Sequence, residues 1–257
     1  QKNDKYSNMK HLFTLLLMTI GLTSYAQKFQ SDKFSLPSGK ELSITFIKHG
    51  TLMLSYDGHT IHIDPVGMYA DYSQQNEADS EKLLGLAIEM GYTPASISEE
   101  ADLILITHQH GDHLDKEAIA TLSTPDTRLI VTSTVNQQLN KGEIYENGQV
   151  KRPFPWLMIE TVPAYNTTPD RQKFHPKGRD NAYVLNIEDQ RIYIAGDTED
   201  IPEMKHLKDI DIAFLPVNQP YTMTLEQALN AARMIKPAIL YPYHYNDTKV
   251  EELVAPL

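Results

Sequence analysis

A chain of 257 residues, 41% of them hydrophobic, is long enough to bury a sizeable core in one large α/β domain. With 34 acidic against 23 basic residues its net charge is −11, which repels a nucleic-acid backbone and offers no polybasic patch to anionic lipid. The absence of cysteine rules out a disulfide framework and any thiolate metal site.

In chain order, Met9-Lys10-His11 precede the apolar stretch Leu12 to Leu22, and Ser24-Tyr25-Ala26 place small residues three and one before a cut ahead of Gln27. The pattern predicts a secretory signal peptide within residues 1–26, with Gln1 to Asn8 upstream of a natural start at Met9. Its apolar core of about eleven residues falls well short of the roughly 20 needed to span a bilayer. The expectation is cleavage, no stable membrane insertion afterwards, and a periplasmic or secreted bacterial protein. Residues 27–257 then form a single domain of a mixed α/β class. Its oligomeric state is not written in the sequence.

Strand-like runs follow at Leu42 to Lys48, Thr51 to Tyr56, Thr60 to Asp64, Leu103 to Thr107 and Arg128 to Ser133, with Asp57-Gly58 as a hairpin turn. Between Tyr72 and Ala101 lies a polar insertion whose Leu83, Leu84, Ala87 and Ile88 make a short amphipathic helix, either covering a site or packing on a sheet edge. Asp115 has the position of an N-cap for a helix over Lys116 to Leu122. A second set of strands is expected at Trp156 to Val162, Ala182 to Ile187, Arg191 to Ala195, Ile210 to Pro216 and Ala238 to Tyr241, so the chain has two similar halves. Thr224 and Gln227 have capping-box spacing before the helical stripe Leu225, Ala228, Leu229, Ala232 and Ile235, which Pro237 ends.

The segment THQHGDHLD, directly after the apolar run Leu103 to Ile106, carries the chemistry. His108 and His110, two apart on extended backbone, point to one side and reach one cation. Gly111 turns the chain, and Asp112 and His113 then aim an oxygen and another imidazole at a second cation nearby. The bland alternative is a polar loop that happens to be rich in histidine. Three of the ten histidines within six residues, beside a carboxylate, argue against it.

This segment resembles the His-x-His-x-Asp-His signature of the metallo-beta-lactamase fold hydrolases. Four stretches add to the likeness in the family's order: IHIDPV from Ile61, IYIAGDTED from Ile192, FLPVNQPYTM from Phe214 and YPYHYND from Tyr241. The match runs from about residue 42 to about residue 250, and it is most similar to the branch that includes ascorbate-6-phosphate lactonase and the N-acyl phosphatidylethanolamine phospholipase D enzymes. The resemblance implies a four-layer αββα sandwich and, because only thirteen residues follow His244 where relatives carry a further helix and strand, the expectation that the C-terminus is clipped.

It also implies a ligand set: His108 and His110 for a first cation, Asp112, His113 and His244 for a second, and Asp197 bridging both. Two zinc ions suit these nitrogen and oxygen donors, and manganese or iron would also be accommodated. One departure stands out, because relatives carry Ala-aromatic-His where this chain has Ala164-Tyr165-Asn166. Either His175, nine residues on, or the carbonyl oxygen of Asn166 fills the gap. Asp64 is expected to tether loops beside the metals, and His49, Tyr165, Asn218 and Tyr221 to line the substrate pocket. His59 and His62 read as exposed or core histidines, and His206 as exposed.

The implied reaction is metal-assisted hydrolysis of a small-molecule ester, lactone, amide or phosphodiester, with water activated by the cations. Asp112 would orient that water and pass a proton to the leaving group, while Asn218, Tyr221 or His175 steadies the oxyanion. A second function class is an exported metal-binding protein that keeps the scaffold but lost turnover with the missing histidine. No motif names the substrate.

Overall fold

The computed structural model describes residues 31–66 and 100–253. The expected signal peptide, the helix expected at Leu83 to Ile88 and the end of the chain lie outside the described residues.

Two mixed sheets account for the strands described. The first holds β1 (Ser31–Ser35), β2 (Glu41–Lys48), β3 (Thr51–Tyr56), β4 (His59–Ile63), β5 (Ala101–Leu105), β6 (Ser123–Val131) and β7 (Glu143–Ile144), in that spatial order. β1 to β4 form an antiparallel meander, and β4 to β7 pair in parallel. The second sheet runs in the order β13 (Ile239–Tyr243), β12 (Ile212–Pro216), β11 (Gln190–Ile194), β10 (Asp180–Ile187), β9 (Leu157–Ala164) and β8 (Val150–Phe154). Its β8 to β11 are an antiparallel meander and β11 to β13 are parallel. Each half of the chain therefore builds a meander followed by parallel strands.

Alternating side chains assign the layers. Leu103 and Leu105 of β5, Leu52 and Leu54 of β3, Tyr183 and Leu185 of β10 and Ile212 and Phe214 of β12 meet in one buried cluster between the sheets. Their neighbours face outward. Ile104 and Met53 pack with Ala118, Ile119 and Leu122 of helix α1 (Lys116–Leu122) and Val135 of α2 (Ser133–Leu139). Val184, Ala213 and Leu215 pack with Ala228, Ala231, Ala232 and Ile235 of α3 (Leu225–Ile235). Helices thus cover both outer faces, the αββα sandwich.

Local chemistry starts and stops these elements. The Asp115 carboxylate accepts from the N–H groups of Glu117 and Ala118 and caps α1. Thr224 and Gln227 form the full capping box of α3, and Lys236 closes that helix in the left-handed conformation just before Pro237. Asp57 and Gly58 both have positive φ, 51° and 80°, as the β3–β4 hairpin requires. One expected strand needs correcting: β6 ends at Val131, because the Thr132 hydroxyl accepts from the Val135 N–H and starts α2 where Ser133 was read as strand.

Candidate metal centre

The candidate site lies at one end of the sandwich, where several strands stop together. After β5 come Thr107 and His108, both buried, and the turn that carries His110, Asp112 and His113. β11 is followed directly by Ala195, Gly196 and Asp197. Gly196 has φ of 60°, and a Cβ there would lie 3.1 Å from both the Asn181 carbonyl oxygen and the Thr107 Cβ. Glycine therefore lets the aspartate strand close on the histidine strand. His244 directly follows β13, and His49 directly follows β2. A Cβ on Gly50 would sit 2.8 Å from His113 Cε1, so the backbone itself forms one wall of the histidine's slot.

The two oxygens of Asp197 face two different donor sets. On the Oδ2 side are His175 Nε2 at 3.3 Å and His108 Nε2 at 3.9 Å, with His110 Nδ1 3.1 Å from His108 Nε2. On the Oδ1 side are His113 Nε2 at 3.3 Å and His244 Nε2 at 3.4 Å, and His244 Nε2 is 3.3 Å from Asp112 Oδ2. His108, His110, His175 and Asp197 offer donor atoms within 4.8 Å of one another, as do His113, Asp197 and His244. An ion with bonds of about 2.1 Å holds neighbouring donors roughly 3.0–3.4 Å apart, and most of these gaps match that spacing.

Outer partners fix which nitrogen points inward. His113 Nδ1 lies 2.8 Å from Asp64 Oδ2, and the same carboxylate accepts from the Thr107 N–H at 2.7 Å and the Thr107 hydroxyl at 2.6 Å. His175 Nδ1 lies 3.1 Å from Asp180 Oδ2, and His108 Nδ1 is 3.0 Å from Thr107 Oγ1. With Nδ1 occupied, Nε2 is left for the centre. Yet His113 Nε2, His244 Nε2 and Asp197 Oδ1 are buried without a hydrogen-bond partner among the described residues. Leaving such atoms bare costs about 1–3 kcal/mol each, and a cation satisfies all three lone pairs together. The residues present therefore fit a pair of divalent cations.

The ionisation pattern agrees. Burial opposes the charge on Asp197, but His113, His244 and His175 hold its carboxyl well below the usual carboxylate range. Burial likewise opposes the His113 imidazolium, yet Asp197 and Asp64 raise its pKa well above the ordinary histidine value. Burial, reinforced by His113, pushes His108 well below that value. Burial acts against Asp112 too, but His244 and His49 hold its carboxyl far down. The Asp112 and Asp197 carboxylates are thus held charged, and at His113 a proton and a metal compete for the same lone pair.

Between the two candidates for the departing position, the structure brings His175 to the cluster. Asn166 turns its Nδ2 to the carbonyls of Arg171 and Tyr221, at 3.2 and 2.7 Å, and its backbone N–H donates to the His175 carbonyl at 2.8 Å. Asn166 thus holds the loop that carries His175, although its own Oδ1 is buried without a partner among the described residues. The loop has a second fastening. Buried Glu199 accepts from the N–H groups of Thr167 and Thr168 at 2.8 and 2.7 Å, from the Thr167 hydroxyl at 2.9 Å and from Arg171 at 3.0 Å.

A cleft of about 420 Å³ opens over the cluster, with Asp112, His175, Asn218, Tyr221 and His49 in its walls. Tyr165 corrects an expectation. It is not among the cleft residues, because its ring joins the outer cluster under α3 and its hydroxyl donates to Glu203 at 2.9 Å. Alternation along extended backbone sends it to the face opposite Asn166. His59 stacks on Trp156 far from the cleft, with ring centroids 4.6 Å apart, and His62 is fully buried in β4.

Sequence reasoning missed Asp180 and Glu199. Asp180 sits between Arg179 and Asn181 like a loop residue, and only the pairing of β10 with β9 places it beside His175. Glu199 stands two residues after Asp197, and no local spacing in the sequence marks it as the tether of a distant loop.

Known proteins point the same way. A model of the beta-lactamase superfamily domain matches residues 43–244. A UPF0173 metal-dependent hydrolase of Salinibacter ruber is 28% identical over 216 residues, 80% of this chain and 85% of that protein. Another, from Ligilactobacillus salivarius, is 37% identical over 153 residues, 56% of this chain and 67% of its own length. Among crystal structures, a candidate metal-dependent hydrolase from Parabacteroides distasonis is 54% identical with a TM-score of 0.77, covering 90% of this chain and 94% of that one. A metallo hydrolase from Ignicoccus hospitalis, 24% identical with a TM-score of 0.58, covers 82% and 91% and shares the fold.

Proposed function

This chain belongs to the beta-lactamase superfamily of metal-dependent hydrolases, and from that premise we propose that it cleaves a small-molecule ester, lactone or phosphodiester with two bound cations. One observation carries the reading: the two oxygens of a single buried aspartate, Asp197, face two separate sets of histidines, and on the Oδ1 side the inward nitrogens of His113 and His244 lack partners among the described residues. His108, His110 and His175 would hold one cation, and Asp112, His113 and His244 the other, with Asp197 shared. Zinc suits the donors, and manganese or iron would be accepted. When bound, such cations supply a water of lowered pKa and a Lewis acid for the electrophilic oxygen.

The chain's own residues do the rest. Asp112, half-exposed on the cleft side, would orient the attacking water through its carboxylate and pass a proton to the leaving group. Tyr221 and Asn218 stand across the cleft, where a hydroxyl and an amide can donate to the developing oxyanion. Phe174, packed edge-on against Tyr221 with centroids 5.0 Å apart, keeps that wall in place. No serine or cysteine nucleophile is required. With His175 at the cluster, the alternative of a metal binder without turnover loses its main support, which was the missing imidazole. Export through the N-terminal segment is part of the proposal.

The test is an activity screen of the metal-loaded chain across lactones, phosphodiesters, esters and N-acyl amides. Hydrolysis of one class that an Asp112→Asn change abolishes supports the reading. A fully loaded protein inert toward all of them contradicts it.

A further inference from the structure

We propose that His49 is a fifth protein donor to the second cation, giving that position a donor set suited to a five- or six-coordinate ion. This rests on the two-cation reading above. His49 Nε2 lies 3.4 Å from Asp112 Oδ2, which is itself 3.3 Å from His244 Nε2, and the three donor atoms lie within 4.8 Å of one another. The gap of 3.4 Å is long for a hydrogen bond, but it is the spacing of two donors that share one cation at about 2.1 Å.

The backbone is shaped to bring this ring in. His49 has φ of 49° and His244 also 49°, a conformation that non-glycine residues adopt rarely and at a cost of about 1–3 kcal/mol. The two strained residues are tied together, since the His244 N–H donates to the His49 carbonyl at 3.0 Å and their ring centroids lie 3.5 Å apart. A loop residue that merely lined a cleft would not need that strain at two neighbouring positions of one donor group. Among the described residues the first set has no counterpart to this ring. Its three imidazoles and one carboxylate oxygen match a four-coordinate ion, whereas on the other side His49 groups with Asp112 and His244, and His113 with Asp197 and the same His244, donors that taken together would exceed a tetrahedron. A cation that favours more ligands, such as manganese or ferrous iron, would gain most from His49.

The informative variant is His49→Asn, because asparagine tolerates the left-handed conformation and removes the imidazole. His59→Asn, remote from the centre, is the control. The full chain is stripped, titrated with Mn²⁺ and followed by electron paramagnetic resonance with a competing chelator, and the zinc-loaded forms are examined by X-ray absorption. Expected is a fall of about tenfold or more in affinity for the weaker Mn²⁺ and a lower imidazole count per zinc in His49→Asn, with His59→Asn unchanged. Unchanged affinity and imidazole count in a folded, loaded His49→Asn overturn the inference. A change in affinity with the imidazole count preserved makes His49 a positioning residue for Asp112 and also overturns it. If the native chain itself fails to bind two cations, the two-cation reading fails instead.

Discussion

The two donor sets around Asp197 are built differently. His108 and His175 are buried and each has its outer nitrogen engaged, by Thr107 and Asp180, so their inward nitrogens are fixed before any cation arrives. Among the described residues, only His113 of the second set is so anchored, through Asp64, while Asp112 is half-exposed and buried His244 Nδ1 has no hydrogen-bond partner. Preorganisation thus favours tight retention on one side, and access to the cleft favours chemistry on the other.

The largest effect should come from the residue both sets share. Asp197→Ala leaves two groups of imidazoles facing each other with no anion between them. We expect loss of both cations and a fall in kcat/KM on the order of 10³-fold or more, a barrier increase of about 4 kcal/mol, read from metal analysis and steady-state rates. His175→Ala separates the sets: metal content should fall toward one equivalent, whereas Asn166→Ala should keep two with weaker retention. Equal loss in both variants would make Asn166 a ligand.

Asp180→Asn sharpens the contrast further, weakening the first cation about 10- to 100-fold while the second is held as before. Chelation of both metals should lower the thermal midpoint, because the cluster then buries bare lone pairs; at 1,000 times Kd a cation adds about 4 kcal/mol. At the small end, Thr224→Ala removes the cap of α3 and should cost about 1 kcal/mol in denaturant unfolding without altering metal content. Any effect of that cap on metal retention would show that the two ends of the second half are coupled.

Much of this was legible in the chain. The continuous apolar run Leu103 to Ile106 and the spacing of His108, His110, Asp112 and His113 are local signals, because extended backbone and one glycine turn set where those side chains go. Helix α1 and the box at Thr224 and Gln227 were readable for the same reason. Asp180, Glu199 and the direction of Tyr165 were not, because their meaning depends on which strand pairs with which and how the sheets meet. β1, β7 and β8 went unseen since these edge strands are short or polar, burying too little to show a pattern. The strain at His49 likewise follows from its contact with a residue almost two hundred positions later, which no window of sequence contains.

The most direct test is the metal content of the purified chain by mass spectrometry, native and Asp197→Ala side by side after exhaustive dialysis. The account predicts two equivalents in the first and close to none in the second. Two equivalents retained by the variant, or none by the native chain after metal reloading, would contradict it.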